Sequence, residues 1–145
     1  MYKHILIATD GSEIAADTLA QGLRLAKALG ARVTAVNVTE PWTAGAYGPA
    51  PTPSLIRVYE KAAAENAAAV LARAGAAAAE LGVSCTTLHV KDQHPADGIV
   101  ATAVAQGCDL IVLGSHRRRA LARALLGSVA MEVLTASPVP VLICC

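Results

Sequence analysis

"HILIATDGSE", residues 4–13, decides the fold. Ile5 to Ala8 are apolar without alternation, and the run stops at Asp10-Gly11. A strand with apolar side chains on both faces needs cover on both faces, as in a parallel sheet between two layers of helices. Ser12 is placed to cap a following helix, and Glu13 suits its positive first turn. Ile14, Leu19, Leu23, Ala26 and Leu29 then recur at helical spacing until Gly30 ends the element. "RVTAVNV" (32–38) is a second strand, rich in β-branched residues.

The same alternation continues along the chain. Residues 39–54, "TEPWTAGAYGPAPTPS", are too rich in proline and glycine for helix or sheet and too long for an ordinary connection. They read as a lid, a partner surface or an insert, in which Trp42 and Tyr47 either stack on a ligand or anchor the loop. Ser54 is expected to cap the long alanine-rich helix 55–81, weakened a little by Gly75 and stopped by Gly82. A third strand covers 83–90, and Pro95 starts a short helix running to Gly107. "DLIVLGS" (109–115) is the fourth strand, a helix spans roughly 120–135, and "VPVLICC" (139–145) is the fifth strand. Five strands alternating with four helices predict a three-layer αβα domain, residues 1–145, around a parallel sheet.

Composition narrows the function. Hydrophobic residues make up 54%, with no Phe and one Trp, so the core is Ala, Val, Leu and Ile with few aromatic faces for stacking bases. Net charge is +1, yet Arg117, Arg118, Arg119 and Arg123 supply four of the twelve Lys and Arg. Positive charge is therefore local, and nucleic acid is not the expected partner. No CxxC pair occurs among Cys85, Cys108, Cys144 and Cys145, and no His stands at zinc spacing. Cys85 and Cys108 read as small core residues, and Cys144-Cys145 as redox-active only if exposed. No signal peptide or membrane span is visible, so a reducing cytoplasm is expected. His4 is assigned a surface hydrogen bond, His89 ends the third strand, and His94 precedes Pro95 as a helix cap. The four histidines make no nucleophile–base–acid pattern, so neither catalytic nor metal-ligating residues are assigned.

Chemistry concentrates in "VLGSHRRRALARALLGSV", residues 112–129. Asp10 and Gly114 end two strands, and if these are neighbours both face one crevice outside the carboxyl edge of the sheet. Gly114 is expected to turn the chain sharply and aim backbone N–H groups at an anion, so that an added Cβ there meets the phosphate. Gly127 costs roughly 1 kcal/mol against Ala inside a helix and needs a reason. From the residues alone the segment reads as a phosphate cradle or as a solvated turn, and Asp10 as a ligand contact or a turn former. It is neither GxGxxG nor GxxxxGK[ST], which excludes the usual dinucleotide and P-loop readings.

The whole chain resembles the universal stress protein family. The family signature is Gly, two residues, Gly, nine residues, Gly, then Ser or Thr; Gly114 and Gly127-Ser128 match its ends at the right spacing. "HILIATDGSEIA", "HPADGIV…GCDLIVLGSH" and "LLGSVAMEVLTASPVPVLI" carry the rest of the likeness. The resemblance implies a five-stranded sheet of order 3-2-1-4-5 and a single-domain, ATP-binding protein serving as a ligand-dependent switch in stress response. It places Ala8 and Thr9 along the nucleotide, Asp10 at the ribose, Val38 at adenine through its backbone, and Gly114, Gly127 and Ser128 at the phosphates, with Ser115 and His116 beside them. AMP or ADP are related ligands, and Mg²⁺ accompanies a triphosphate. Arg117 occupies the signature's second glycine. It cannot match a glycine's positive φ and close approach, but it can pair with phosphate oxygens. The departure leaves two further readings, a nucleotide-free dimeric adaptor and a slow ATP hydrolase. The resemblance also implies a homodimer through the last strand, Val139–Ile143, with Leu142 on the opposite side. A link through Cys144 or Cys145 is the other way to join two chains.

Overall fold

The computed structural model describes residues 1–42, 52–115 and 126–145. Its elements are β1 (His4–Ala8), α1 (Glu13–Leu29), β2 (Arg32–Thr39), α2 (Pro53–Leu81), β3 (Cys85–Lys91), α3 (Pro95–Gln106), β4 (Leu110–Gly114), α4 (Ser128–Ala136) and β5 (Val141–Cys144). The five strands form one parallel sheet in the order β3-β2-β1-β4-β5.

Strand alternation divides the core between two faces. Ile5, Ile7, Val33, Ala35, Leu110 and Val112 pack with Leu19 and Leu23 of α1 and Leu71 and Ala74 of α2. Leu6, Val36, Ile111 and Leu113 pack with Ile99 and Ala103 of α3 and Ala130 and Val133 of α4. Both faces of β1 and β4 are covered, which is why their sequences are continuously apolar. Fully burying one such aliphatic side chain stabilises the fold by roughly 1.5–3 kcal/mol.

Helix ends follow local chemistry, with two corrections. Ser12 accepts from the Ala15 N–H at 3.2 Å and caps α1, and Gly30 closes it at φ +66°. The cap of α2 is Thr52, not Ser54: its hydroxyl accepts from the Leu55 N–H at 3.3 Å. Pro53 occupies the first helical position, where its missing N–H costs nothing and its φ is already helical. The last helix was expected from about residue 120, but Leu126 and Gly127 precede α4; residues 120–125 lie outside the described residues. Gly127 is the cap residue of α4, and its N–H donates to the Ser115 hydroxyl at 2.8 Å instead of continuing a helical ladder.

His4 is also corrected. It is buried, and its Nε2 shares a 2.7 Å hydrogen bond with the Thr34 hydroxyl, because the paired strands β1 and β2 bring the two together inside the sheet. Burial, then the Arg32 charge, pushes the His4 pKa down despite the opposing Asp109 charge. All four cysteines are unpaired: Cys108 and Cys144 are buried, Cys85 half-buried and Cys145 exposed. Burial pushes the Cys108 thiol up to about 11 and raises that of Cys144, so both are poor nucleophiles at neutral pH.

Gly75 is a surplus glycine in α2. A Cβ added there meets only Thr87 Cγ2, at 3.9 Å, an ordinary contact, and its φ is not positive. Gly75→Ala should therefore raise stability by about 0.5–1 kcal/mol through lost backbone freedom in the unfolded chain. A urea titration with an unchanged slope and a higher midpoint is the expected result; a lower midpoint refutes it.

Candidate functional site

The order of the strands reverses between β1 and β4, whose helical connections leave on opposite faces. A crevice opens there, at the carboxyl edge of the sheet, where such folds bind ligands. Ala8, Thr9 and Asp10 enter it from the end of β1, Val36 and Val38 from β2, and Leu113 and Gly114 from β4. Ile14 and Ala15 of α1, Pro95 and Ile99 of α3, and Val129 of α4 complete the walls.

The described walls enclose about 150 Å³ and are mostly aliphatic. That is below the roughly 300–1,000 Å³ of sites for larger organic ligands, so they accommodate one ring system rather than a whole nucleoside triphosphate. The polar groups lie at the rim. Asp10 is exposed, and one of its carboxylate oxygens accepts from the Ser12 N–H at 2.9 Å, forming an Asx turn. Gly11 continues that turn at φ +84°. Thr9 is buried; its N–H donates to the Val36 carbonyl, and its carbonyl accepts from the Asn37 side-chain amide at 3.0 Å. These bonds fix the ends of β1 and β2 against each other.

The β4 end differs from expectation in mechanism. Gly114 stays in the strand, and its φ is not positive. A Cβ there points at α1, 2.5 Å from Ile14 Cγ2 and 2.7 Å from Thr18 Oγ1. The glycine lets α1 approach the sheet and so brings Ile14 to the crevice wall. Ser115 is only 1% exposed. Its N–H donates to the Cys144 carbonyl at 2.9 Å, and its hydroxyl receives the Gly127 N–H. Ser115 thus positions the start of α4. Gly127 supplies no side-chain cap, and Ser128 begins the helix. The first-turn N–H groups of α4 therefore have no side-chain acceptor from their cap residue, the arrangement that favours an anion.

Of the ten residues assigned from the sequence, Ala8, Thr9, Asp10, Val38 and Gly114 line one crevice. Ser115, Gly127 and Ser128 stand together at the junction of β4 and α4. His116 and Arg117 lie outside the described residues, as do Arg118, Arg119, Arg123 and Tyr47. Sequence reading missed the apolar walls: Ile14, Ala15, Val36, Pro95, Ile99, Leu113 and Val129. The signal present was Pro95 at a helix start and the aliphatic last residues of two strands. Which face they line depends on the sheet order. Among the described residues, no cluster of three or more His, Cys, Asp or Glu side chains could hold a metal ion.

A doubly wound sheet of this order, with a crevice at its switch point and a glycine-capped helix beside it, places the chain among the α/β folds whose ligand sites lie outside the carboxyl ends of the strands. The chain belongs to the universal stress protein family, whose pattern matches residues 1–144. A universal stress protein of Thermus aquaticus is 32% identical over 143 residues, covering 99% of this chain and 98% of its own. A universal stress protein family structure from Burkholderia pseudomallei superposes with a TM-score of 0.79 at 29% identity, covering 99% of this chain and 96% of that one. A universal stress protein solved in complex with cAMP has the same fold, with a TM-score of 0.76, 24% identity and coverage of 99% and 97%. No described helix is long and apolar enough to cross a membrane.

Proposed function

We propose that this protein binds an adenine nucleotide, ATP or a related one, in the crevice and acts as a ligand-dependent switch. The observation that carries the reading is the pairing of an aliphatic slot for one ring system with a helix start that lacks a side-chain cap. In this reading the base lies against Val38 and Ile99, the ribose lies near Asp10, and Ala8 and Thr9 form the floor. Phosphates lie toward Gly114 at the end of β4 and Gly127 and Ser128 at the start of α4, with Ser115 holding that start in place. His116 and Arg117 enter on sequence grounds as flanking groups. Any Mg²⁺ arrives with the phosphates, which supply the oxygen ligands it prefers. The relative in complex with cAMP supports an adenine nucleotide as the ligand class. The four unpaired cysteines suit the reducing cytoplasm expected from the sequence. The open edge of β5 supports a homodimer through Val139–Ile143.

Calorimetric titration tests the ligand. ATP should bind at least about tenfold more tightly than adenosine, the scale of one charge-assisted hydrogen bond. Equal affinities would remove the phosphate part of the site. If Arg117 replaces glycine's close approach with charge, Arg117→Ala should weaken ATP by roughly 1–3 kcal/mol. Tighter binding in Arg117→Gly would instead identify Arg117 as an obstruction.

A further inference from the structure

His94 stands at the cap position of α3, directly before Pro95 of the crevice wall, yet its ring makes no capping bond. It faces two other elements instead. Nε2 lies 2.5 Å from a carboxylate oxygen of Glu132 on α4. Nδ1 lies 3.7 Å from a carboxylate oxygen of Glu40, one residue beyond β2. A neutral imidazole has one N–H and one lone pair, so a carboxylate at each nitrogen suits the imidazolium. The elements joined at this ring are the ones that wall the aliphatic side of the crevice: Val38 lies in β2, Pro95 and Ile99 in α3, and Val129 in α4. The walls are tightly coupled as well. A Cβ on Gly98 of α3 would stand 2.8 Å from Val38 Cγ1, so a shift of the first turn of α3 is felt at Val38.

We propose that His94 is a positioning residue of the crevice: as an imidazolium it clasps Glu40 and Glu132, holds β2, α3 and α4 at their binding separation, and makes nucleotide affinity follow its own protonation. This rests on the nucleotide reading above. The charged groups acting on the ring are all anionic: Glu132 of α4, Glu40 after β2, and Asp97 in the first turn of α3. The bond to Glu132 is the largest influence and raises the His94 pKa above 6.5; desolvation, the next largest, opposes it, and the three negative charges add to the rise. The start of α3 repels a cation, so the carboxylates and not the helix supply the attraction. A raised histidine pKa stabilises the clasped form fully below the unfolded value of 6.5, and the effect is lost as pH rises through the folded value. Protonation of the two glutamates at acid pH opens the clasp from the other side.

The test is calorimetric titration of the whole chain with Mg·ATP at about pH 6 and about pH 8.5, values that bracket the histidine range. Wild type, His94→Gln and Glu132→Gln are compared. Titration of the γ-phosphate is common to all three, so ratios between proteins isolate the clasp. With both partners about half exposed, the effect is modest. Wild type should bind on the order of threefold more tightly than either variant at the lower pH and equally at the higher, the scale of a partly exposed ion pair. Matching thermal unfolding at the higher pH verifies that the variants fold. A wild-type-to-variant ratio that is the same at both pH values overturns the clasp and leaves nucleotide binding standing. Failure of wild type to bind ATP at either pH overturns both.

Discussion

Gly114→Val should lower the unfolding free energy by about 2–3 kcal/mol, toward the upper end of the cost of overpacking. The substitution puts a Cβ 2.5 Å from Ile14 Cγ2 and 2.7 Å from Thr18 Oγ1, before the two valine methyls are placed. Thr18 is only 1% exposed and cannot swing into solvent, and the clashing methyl of half-buried Ile14 is attached at its own Cβ, so relieving that contact means turning the whole side chain at the crevice wall. Valine's preference for strands works in the opposite direction but amounts to about 1 kcal/mol at most. Packing therefore wins. Gly114→Ala should still show a loss, because one carbon already violates both contacts, but a smaller one, because it adds no methyls beyond that carbon. Urea unfolding with an unchanged slope and a lower midpoint is the expected signature. A wild-type midpoint accompanied by lost ATP binding would instead return Gly114 to the role of a phosphate contact.

Val141→Pro should weaken the proposed dimer by roughly 30- to 100-fold while sparing the subunit. The Ile111 N–H donates to the Pro140 carbonyl, and the Ser115 N–H donates to the Cys144 carbonyl. Even-numbered residues of β5 thus turn their carbonyls toward β4, and alternation turns the backbone groups of Val141 and Ile143 to the open edge. Proline at 141 removes a donor from that edge and none from the β4 ladder. A twofold interface loses the bond twice, at about 1 kcal/mol each, and the proline ring adds steric obstruction. Val141→Ala keeps the donor and should cost less. The side chains of Val139, Val141 and Ile143 pack against the α3 and α4 side of the core, while Leu142, at 43% exposure, lies on the opposite face. Light scattering over a dilution series, with reductant present, measures the association. A wild-type monomer at high micromolar concentration would refute the dimer. Dimers that dissolve with reductant but survive Val141→Pro would assign the link to Cys145, since Cys144 is buried.

Element identity and order were legible because each signal is local. Continuous apolar strands, the Ser12 cap and the terminating glycines Gly30, Gly82 and Gly107 act within one turn or one strand, and each stands where its chemistry requires. The family signature added the sheet order and gathered Asp10, Val38 and Gly114 toward one edge. Tertiary structure decided what those residues do. Whether Gly114 faces a ligand or a helix depends on how closely α1 packs across β4, and periodicity carries no such distance. The true start of α4 depends on a hydroxyl twelve positions earlier capturing the Gly127 N–H, a bond between segments that are adjacent only after the sheet forms. His94 holds the cap position of α3 that its place before Pro95 suggested, but the partners of its ring were not legible, because Glu40 and Glu132 lie 54 and 38 positions away along the chain and meet it only across three elements. Short-range propensity fixes which elements form. The side-chain geometry of the crevice arises from contacts between residues distant in sequence, and their positions exist only once the layers have packed.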